Sequence, residues 1–220
     1  MFAGHVGAAL AIGRAERRIN IAVFVFAAML LDAVLWVLIL AGWESASLPV
    51  ELASYRMPQF VFPYSHGLIG SIVWSVLAGA VVLLWFARRR ISAMRAAALV
   101  AAAVFSHWLL DALVHLPELP IAGDESTKVG LGLWRNMPVA LIVEALILLA
   151  GLGLYLPVAP LSRGRKIALA ALSLLILGMT VIGMTVAPPA PSVTAMAVSS
   201  LITIALVSAL FHWCGRSRGG

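Results

Sequence analysis

Long apolar runs separated by short polar segments dominate the sequence. A bilayer crossing takes about 20 apolar residues in a helix, and six runs reach that length: 19–41, 67–87, 96–115, 138–156, 167–187 and 194–213. Residues 1–12 are also apolar but short, which is closer to a half-buried or re-entrant helix than to a full span. The pattern predicts an all-α polytopic membrane bundle of about six transmembrane helices plus a short N-terminal apolar helix.

The composition also favours a fold that has lipid as its solvent. Hydrophobic residues make up 63% of the chain and charged residues only 11%, whereas soluble domains average roughly 25% charged residues. The single cysteine, Cys214, excludes an internal disulfide and a cysteine-based metal cluster. No internal repeat is visible, so we treat residues 1–220 as one membrane domain. Within it, residues 1–119 carry the candidate site and residues 137–214 supply packing helices, where Gly178 and Gly183 are expected to allow close helix contact.

The net charge of +6 is distributed by segment. Arginine-rich segments at 14–18, 88–95, 163–166 and 216–218 alternate with acidic segments at 42–66 and 116–137 and a proline-rich segment at 187–192. The positive-inside rule places the arginine segments and the C-terminus in the cytoplasm, as in the inner membrane of a bacterium. The charge therefore indicates topology rather than a nucleic-acid surface, and the bilayer itself is the expected partner. Trp108 and Trp134, near the outer boundary, are expected to anchor at the lipid interface.

Ionisable side chains interrupt these apolar runs, although each costs about 2.5–3.5 kcal/mol at the centre of a membrane helix. In the stretch SHWLLDALVH, the side chains of His107, Asp111 and His115 are four residues apart and share one helical face. Counted from the cytoplasmic ends at about 1.5 Å per residue, these three lie in the outer half of the bilayer. Three residues from other segments reach a similar depth: His5, Asp32 and His66.

Histidine and aspartate converging from several helices suit a divalent cation, and four such ligands match zinc. A cation would also offset the desolvation of Asp32 and Asp111, because neither span contains a lysine or an arginine. Water bound to such a metal loses its proton near neutral pH and becomes a hydroxide nucleophile. The expected cofactor is therefore a divalent metal, with zinc the best match, as one or two ions.

The order of these residues resembles a known family. Gly-His at His5, Asp32 in the next helix, the segment YSHGLIGS with His66, and the Ser-His-x-x-x-Asp of SHWLLDALVH are similar to the membrane-bound metal-dependent hydrolases. The resemblance covers residues 1–119, and the ligand order is also similar to that of zinc-dependent phospholipases C and their nuclease relatives. It implies one metal held by Asp32, His66, His107 and Asp111, and a second held by His5 and the bridging Asp111.

The same resemblance implies an activity and the residues that carry it. The chain lacks the later His-x-x-x-Glu that holds a third metal in the soluble enzymes, and His115 and Glu144 remain for that role. Asp111, His115 and Glu144 are the candidate catalytic residues, with Glu144 alternatively a general base or a partner of Arg135. The implied reaction is attack of a metal-bound hydroxide on a phosphoester or related bond of a lipid-derived substrate. The alternative is a non-enzymatic membrane protein that is structural or translocates an ion or a proton.

Overall fold

The computed structural model describes residues 1–48, 58–87 and 92–216, and helices dominate these ranges. The α-helices are α1 (Phe2–Gly13), α2 (Ile21–Ala28), α3 (Leu30–Leu40), α4 (Leu68–Phe86), α5 (Ala93–Val114), α6 (Met137–Tyr155), α7 (Arg163–Thr185) and α8 (Val193–Cys214). Two short antiparallel strand pairs lie between helices: β1 (Ser45–Ser47) with β2 (Gln59–Val61), and β3 (Leu119–Pro120) with β4 (Lys128–Val129). The predicted all-α polytopic bundle is confirmed.

Helix length and composition agree with a multi-pass membrane protein. Five helices, α4 to α8, are each long and apolar enough to cross a membrane, and α2 with α3 makes a sixth if that pair forms one span. Helix α1 has 12 residues and therefore extends only about 18 Å, too little for a hydrocarbon core of about 30 Å. The short N-terminal apolar helix predicted from the sequence is thus present.

The apolar run at 19–41 is not one straight helix. Helix α2 ends at Ala28 and α3 begins at Leu30, and the two axes are bent by 49°. No proline or glycine occurs between residues 19 and 41, so the usual local causes of a kink are missing. The bend ends α2 at Ala28, whose carbonyl accepts a hydrogen bond from His107 on α5. It also places Asp32 in the first turn of α3, where free backbone N–H groups favour a carboxylate.

Helices α1 and α6 are in backbone contact through two glycines. A Cβ atom on Gly7 would lie 2.5 Å from the carbonyl oxygen of Ile147, and a Cβ atom on Gly151 would overlap the carbonyl oxygen of Gly7. Small residues allow such close approach in membranes, where helix association depends on van der Waals packing. The contact sets α1 deep in the bundle, with His5 fully buried.

The packing role predicted for Gly178 and Gly183 is wrong. A Cβ atom added to either residue would meet no other atom within 4 Å. Both lie on α7, and this helix makes only limited contact with α8, its neighbour in the chain. Glycines in tight contact with the backbone of another helix occur instead on α1 and α6, and on α4, where Gly79 lies against α5.

Candidate metal centre

The structure brings together the five residues predicted as metal ligands. They come from four separate parts of the chain: His5 from α1, Asp32 from α3, His66 from the loop before α4, and His107 with Asp111 from α5. All are buried except Asp32, which is partly exposed. Ligand atoms of His5, Asp32 and His107 lie within 4.8 Å of one another, and so do those of His66, His107 and Asp111. Buried histidine and aspartate groups at this position can hold a metal ion.

His66 and His107 face each other through Nε2 atoms that are 3.1 Å apart. The Nδ1 atom of His107 lies 2.7 Å from the carbonyl oxygen of Ala28, which can only accept, so this nitrogen carries the proton. His66 Nδ1 lies 2.9 Å from Ser65 Oγ, and that hydroxyl donates its own proton to Glu44 at 2.7 Å. His66 Nδ1 is therefore the donor as well. With both rings neutral, two Nε2 lone pairs point at each other, an arrangement that a cation between them relieves.

Asp32 and Asp111 complete the set of atoms around these two nitrogens. Asp32 Oδ1 lies 3.6 Å from each Nε2 atom, and Asp111 Oδ2 lies 3.5 Å from that of His66 and 3.1 Å from that of His107. Ligands bound at 2.0–2.1 Å around a tetrahedral zinc ion are about 3.3–3.4 Å apart. The histidine–histidine and histidine–aspartate distances fall on either side of that value, so the donor set fits a small divalent ion.

His5 extends the cluster on the opposite side of Asp111. Its ring stacks on that of His107 with 3.8 Å between centroids and 9° between planes. His5 Nε2 is 3.2 Å from Asp111 Oδ1, yet neither ring nitrogen has a hydrogen-bonding partner among the residues that the structure describes. The Met1 amine also lies 3.4 Å from Asp111 Oδ1. Asp111 thus directs one oxygen to His66 and His107 and the other to His5, the geometry required of a bridging carboxylate.

His115, a predicted catalytic residue, caps the C-terminus of α5 beside these ligands. Its Nδ1 atom lies 2.6 Å from Glu118 Oε1, and its Nε2 atom lies 3.6 Å from Asp111 Oδ2. A histidine tied to a carboxylate through Nδ1 presents Nε2 in a fixed direction. The Trp134 ring packs on this imidazole, with centroids 4.2 Å apart.

Glu144, the third predicted catalytic residue, lies in α6 and is buried. Its Oε2 atom accepts hydrogen bonds from the backbone N–H groups of Ala3 at 3.1 Å and Gly4 at 3.3 Å. It therefore caps the first turn of α1, whose N–H groups have no partner within the helix. The pairing with Arg135 that the sequence left open does not occur among the ion pairs of the described residues.

Residues that hold His66 in place were missed from the sequence. Glu44, predicted only as part of an acidic outer segment, is buried and accepts from the backbone N–H groups of Tyr64 and Ser65, each at 2.8 Å. A Cβ atom on Gly67 would lie 2.5 Å from the Pro63 carbonyl oxygen, so the loop needs glycine to fold against the start of α4. The sequence signals for this support are a serine next to the histidine and an acidic residue directly before β1.

The two tryptophans expected at the lipid interface instead contact the site. Trp134 is 6% exposed and lies against His115, and the half-buried Trp108 donates from Nε1 to the His66 carbonyl at 3.0 Å. Trp134 is therefore a core residue rather than an interface anchor. Its position follows from the loop after β4, where the N–H of Gly132, at φ +71°, donates to the His115 carbonyl.

A cavity of about 570 Å³ begins at the cluster and extends between helices. Volumes of roughly 300–1,000 Å³ are usual for pockets that bind small molecules. The site contributes Asp32, His66, Asp111, His115 and Glu144 to one end of it. We call the remainder the α7–α8 groove, which is lined mainly by these two helices, including Leu175, Met179, Gly183, Thr203, Leu206 and Leu210.

Together these features define a multi-pass helical membrane protein with a buried histidine–aspartate cluster that can hold a metal ion. Comparison with protein-family models, with curated proteins and with solved structures finds no match to the chain.

Proposed function

We propose that the chain is a membrane-embedded, metal-dependent hydrolase that cleaves a phosphoester or related bond of a lipid-derived substrate in the outer half of the bilayer. The resemblance of residues 1–119 to the membrane-bound metal-dependent hydrolases supports this assignment. By the positive-inside argument, the protein belongs to the inner membrane of a bacterium, with its C-terminus in the cytoplasm.

The observation that carries the proposal is the hydrogen bonding of the three imidazoles beside Asp111. His66, His107 and His115 each direct Nδ1 to an acceptor, namely Ser65, the Ala28 carbonyl and Glu118. Each therefore presents Nε2 to the cluster, and metal-binding histidines are held in this way by partners at the far ring nitrogen. Two Nε2 atoms that face each other beside two carboxylates favour a cation at their centre.

The donor set favours zinc over calcium or magnesium. Imidazole nitrogen with carboxylate oxygen suits zinc, whereas calcium and magnesium prefer oxygen ligands alone. Asp32, His66, His107 and Asp111 would hold one ion, and His5 with the other oxygen of Asp111 would contribute to a second. When bound, such an ion supplies a Lewis acid and activates water near neutral pH.

The remaining polar residues position the reactants and move protons. His115, fixed by Glu118 and facing the cavity, is placed to exchange a proton with water or with a leaving oxygen. Glu144 has one oxygen committed to the start of α1 and also lines the cavity. It therefore holds α1, and with it His5, against the site, while its catalytic role stays a prediction.

A conductor of ions or protons is the competing function. Conduction needs polar groups or water along the whole membrane thickness. On the cytoplasmic side of His107, α5 presents Val100, Ala103 and Val104 to the interior, and all three are buried and apolar. Between Arg95 at its cytoplasmic end and Ser106, α5 carries no polar side chain, which favours chemistry at one depth over passage through the membrane.

Thermal unfolding in detergent with and without a chelator tests the proposal. Metal at a hundredfold excess over its Kd adds about 2.7 kcal/mol to the free energy of unfolding, so a chelator should lower the Tm of the wild type. It should leave the Tm of His107→Ala unchanged, while His212→Ala, an exposed histidine on α8, should respond as the wild type does.

The same three proteins in liposomes should be assayed against a panel of lipid phosphomonoesters and phosphodiesters. The wild type and His212→Ala should release phosphate or head group in a metal-dependent manner, and His107→Ala should not. Two results together would identify a conductor. The chelator would leave the Tm of the wild type unchanged, and liposomes containing the wild type would show a proton flux that His107→Ala abolishes.

A further inference from the structure

The α7–α8 groove is an apolar space that begins at the candidate metal centre. Leu175, Met179 and Leu206 line it and remain more than half exposed in the structure. Helix α8 packs mainly on α2 and α3, whereas α7 makes similarly small contacts with α1, α6 and α8. The groove therefore lies between two helices that contact each other only in part.

Three of the four hydroxyl groups in the groove, all except that of Ser200, donate their protons to the protein backbone. Thr180 Oγ1 donates to the Ile176 carbonyl at 2.9 Å, and Thr203 Oγ1 donates to the Ser199 carbonyl at 2.8 Å. Ser199 likewise donates to its own helix. Since these three protons are bound to backbone carbonyls, the walls beyond the site present mainly methyl and methylene groups, which suit a hydrocarbon.

We propose that the α7–α8 groove holds the hydrocarbon chain of a lipid phosphate whose head group lies at the His66–His107–Asp111 cluster. The head-group half of this statement rests on the function proposed above. One cavity is lined both by five ionisable side chains of the site and by the apolar side chains of the groove, and only an amphipathic molecule matches both. A chain entering from the bilayer between α7 and α8 would reach the cluster without leaving an apolar environment.

An occupying protein helix fits these features less well than a lipid chain. A helix is about 10–12 Å across with its side chains, and it would bring its own apolar surface to the polar end of the cavity. A single hydrocarbon chain is narrow, and its phosphate supplies oxygens that divalent ions bind. The occupant is therefore a membrane lipid rather than a second copy of the chain.

Two glycines on α7 provide a matched pair of variants. Neither Gly183 nor Gly178 has an atom within 4 Å of an added Cβ, but only Gly183 lines the cavity. Gly183→Phe should fill the groove, whereas Gly178→Phe adds the same ring to the same helix outside it. The probe is hexadecyl phosphate with a photoreactive diazirine at the far end of its chain, and hexadecanol with the same group is the head-group control.

Photolabelling in nanodiscs, mapped by mass spectrometry, should place the wild-type label on Leu175, Met179 and Leu206 in preference to the lipid-facing Val76 and Leu84 of α4. Labelling of the groove should fall about tenfold in Gly183→Phe, equivalent to about 1.4 kcal/mol, and stay unchanged in Gly178→Phe. Hexadecanol should not label the groove preferentially.

The lipid-chain site in the groove and the head-group site at the cluster are contradicted by different results. Label spread evenly over α4 and α7 in the wild type would overturn the proposal that the groove holds a hydrocarbon chain, even if the protein holds metal. Equal labelling in both glycine variants would overturn it as well. Preferential labelling by hexadecyl phosphate that survives complete metal removal would support the groove and overturn the head-group assignment. Equal labelling of the groove by hexadecanol would overturn the requirement for a phosphate.

Discussion

Single residues determine how the cluster is oriented, because each histidine beside Asp111 has its second ring nitrogen committed elsewhere. For His107 the partner is a backbone carbonyl, for His66 it is the Ser65 hydroxyl, and for His115 it is the Glu118 carboxylate. Such partners fix the tautomer and the direction of the ligating nitrogen.

We therefore expect Ser65→Ala to weaken metal binding without removing a ligand. The Nδ1 proton of His66 would lose its acceptor, and mutations of such partners cost about 10- to 100-fold in metal affinity. Ser75→Ala is the matched control, because Ser75 is also buried but donates only to the Ser71 carbonyl of its own helix. A competition titration with a chelator measures both, and equal affinities in the two variants would contradict the role given to Ser65.

The candidate ligands could be picked out from the sequence, but the residues that support them could not. His107 and Asp111 stand out because ionisable residues at helical spacing are rare in an apolar run. Glu44 gives no such signal, because it lies in a polar segment where acidic residues are ordinary. The acceptor of His107 is a backbone carbonyl at Ala28, and side-chain patterns do not report backbone groups.

At the level of helices, irregular elements place the ligands. Helix α1 is too short to span the membrane. Its first turn, which carries His5, therefore lies inside the bundle. The bend between α2 and α3 directs Asp32 and the Ala28 carbonyl toward α5. The short α1 could be predicted from the length of its apolar run. The bend could not, because no proline or glycine marks its position.

Two glycines of α6 should respond to alanine in opposite directions. Gly151→Ala should lower the free energy of unfolding by about 1–3 kcal/mol, the usual cost of overpacking, because its Cβ would overlap the Gly7 carbonyl oxygen. Gly153→Ala meets no atom within 4 Å and should raise it by up to about 1 kcal/mol through helix propensity. Thermal melts in detergent measure both changes, and a destabilised Gly153→Ala with a neutral Gly151→Ala would refute the α1–α6 contact.

For the whole molecule, the all-α polytopic bundle followed from the hydropathy pattern, whereas the cavity between α7 and α8 did not. Residues that line a cavity and residues that face lipid are equally apolar, so the sequence of 167–213 predicted packing helices. The structure adds that these helices form the walls of the α7–α8 groove. Gly183 lies on that wall, whereas Gly7 and Gly151 lie at close helix contacts. The sequence around these glycines does not distinguish the two situations.

Topology should follow the alternation of charged segments. Reporter fusions after Arg90, Arg165 and Arg218 should give a cytoplasmic signal, and fusions near Glu51 and Glu125 should give an external one, because arginine-rich loops are retained in the cytoplasm. This arrangement puts the cluster in the outer half of the membrane. A cytoplasmic signal at Glu125 would reverse the side from which a substrate reaches the site.

The most direct test of the central claim is elemental analysis of the purified protein. The wild type should hold one or two divalent ions per chain, chiefly zinc. Asp111→Asn should lose most of this metal, because it removes the charge shared by both halves of the cluster and ligands must be deprotonated to bind. Asp124→Asn, which alters an exposed pair with Lys128, should keep it. A wild type free of divalent metal, or Asp111→Asn with its full content, would contradict the account.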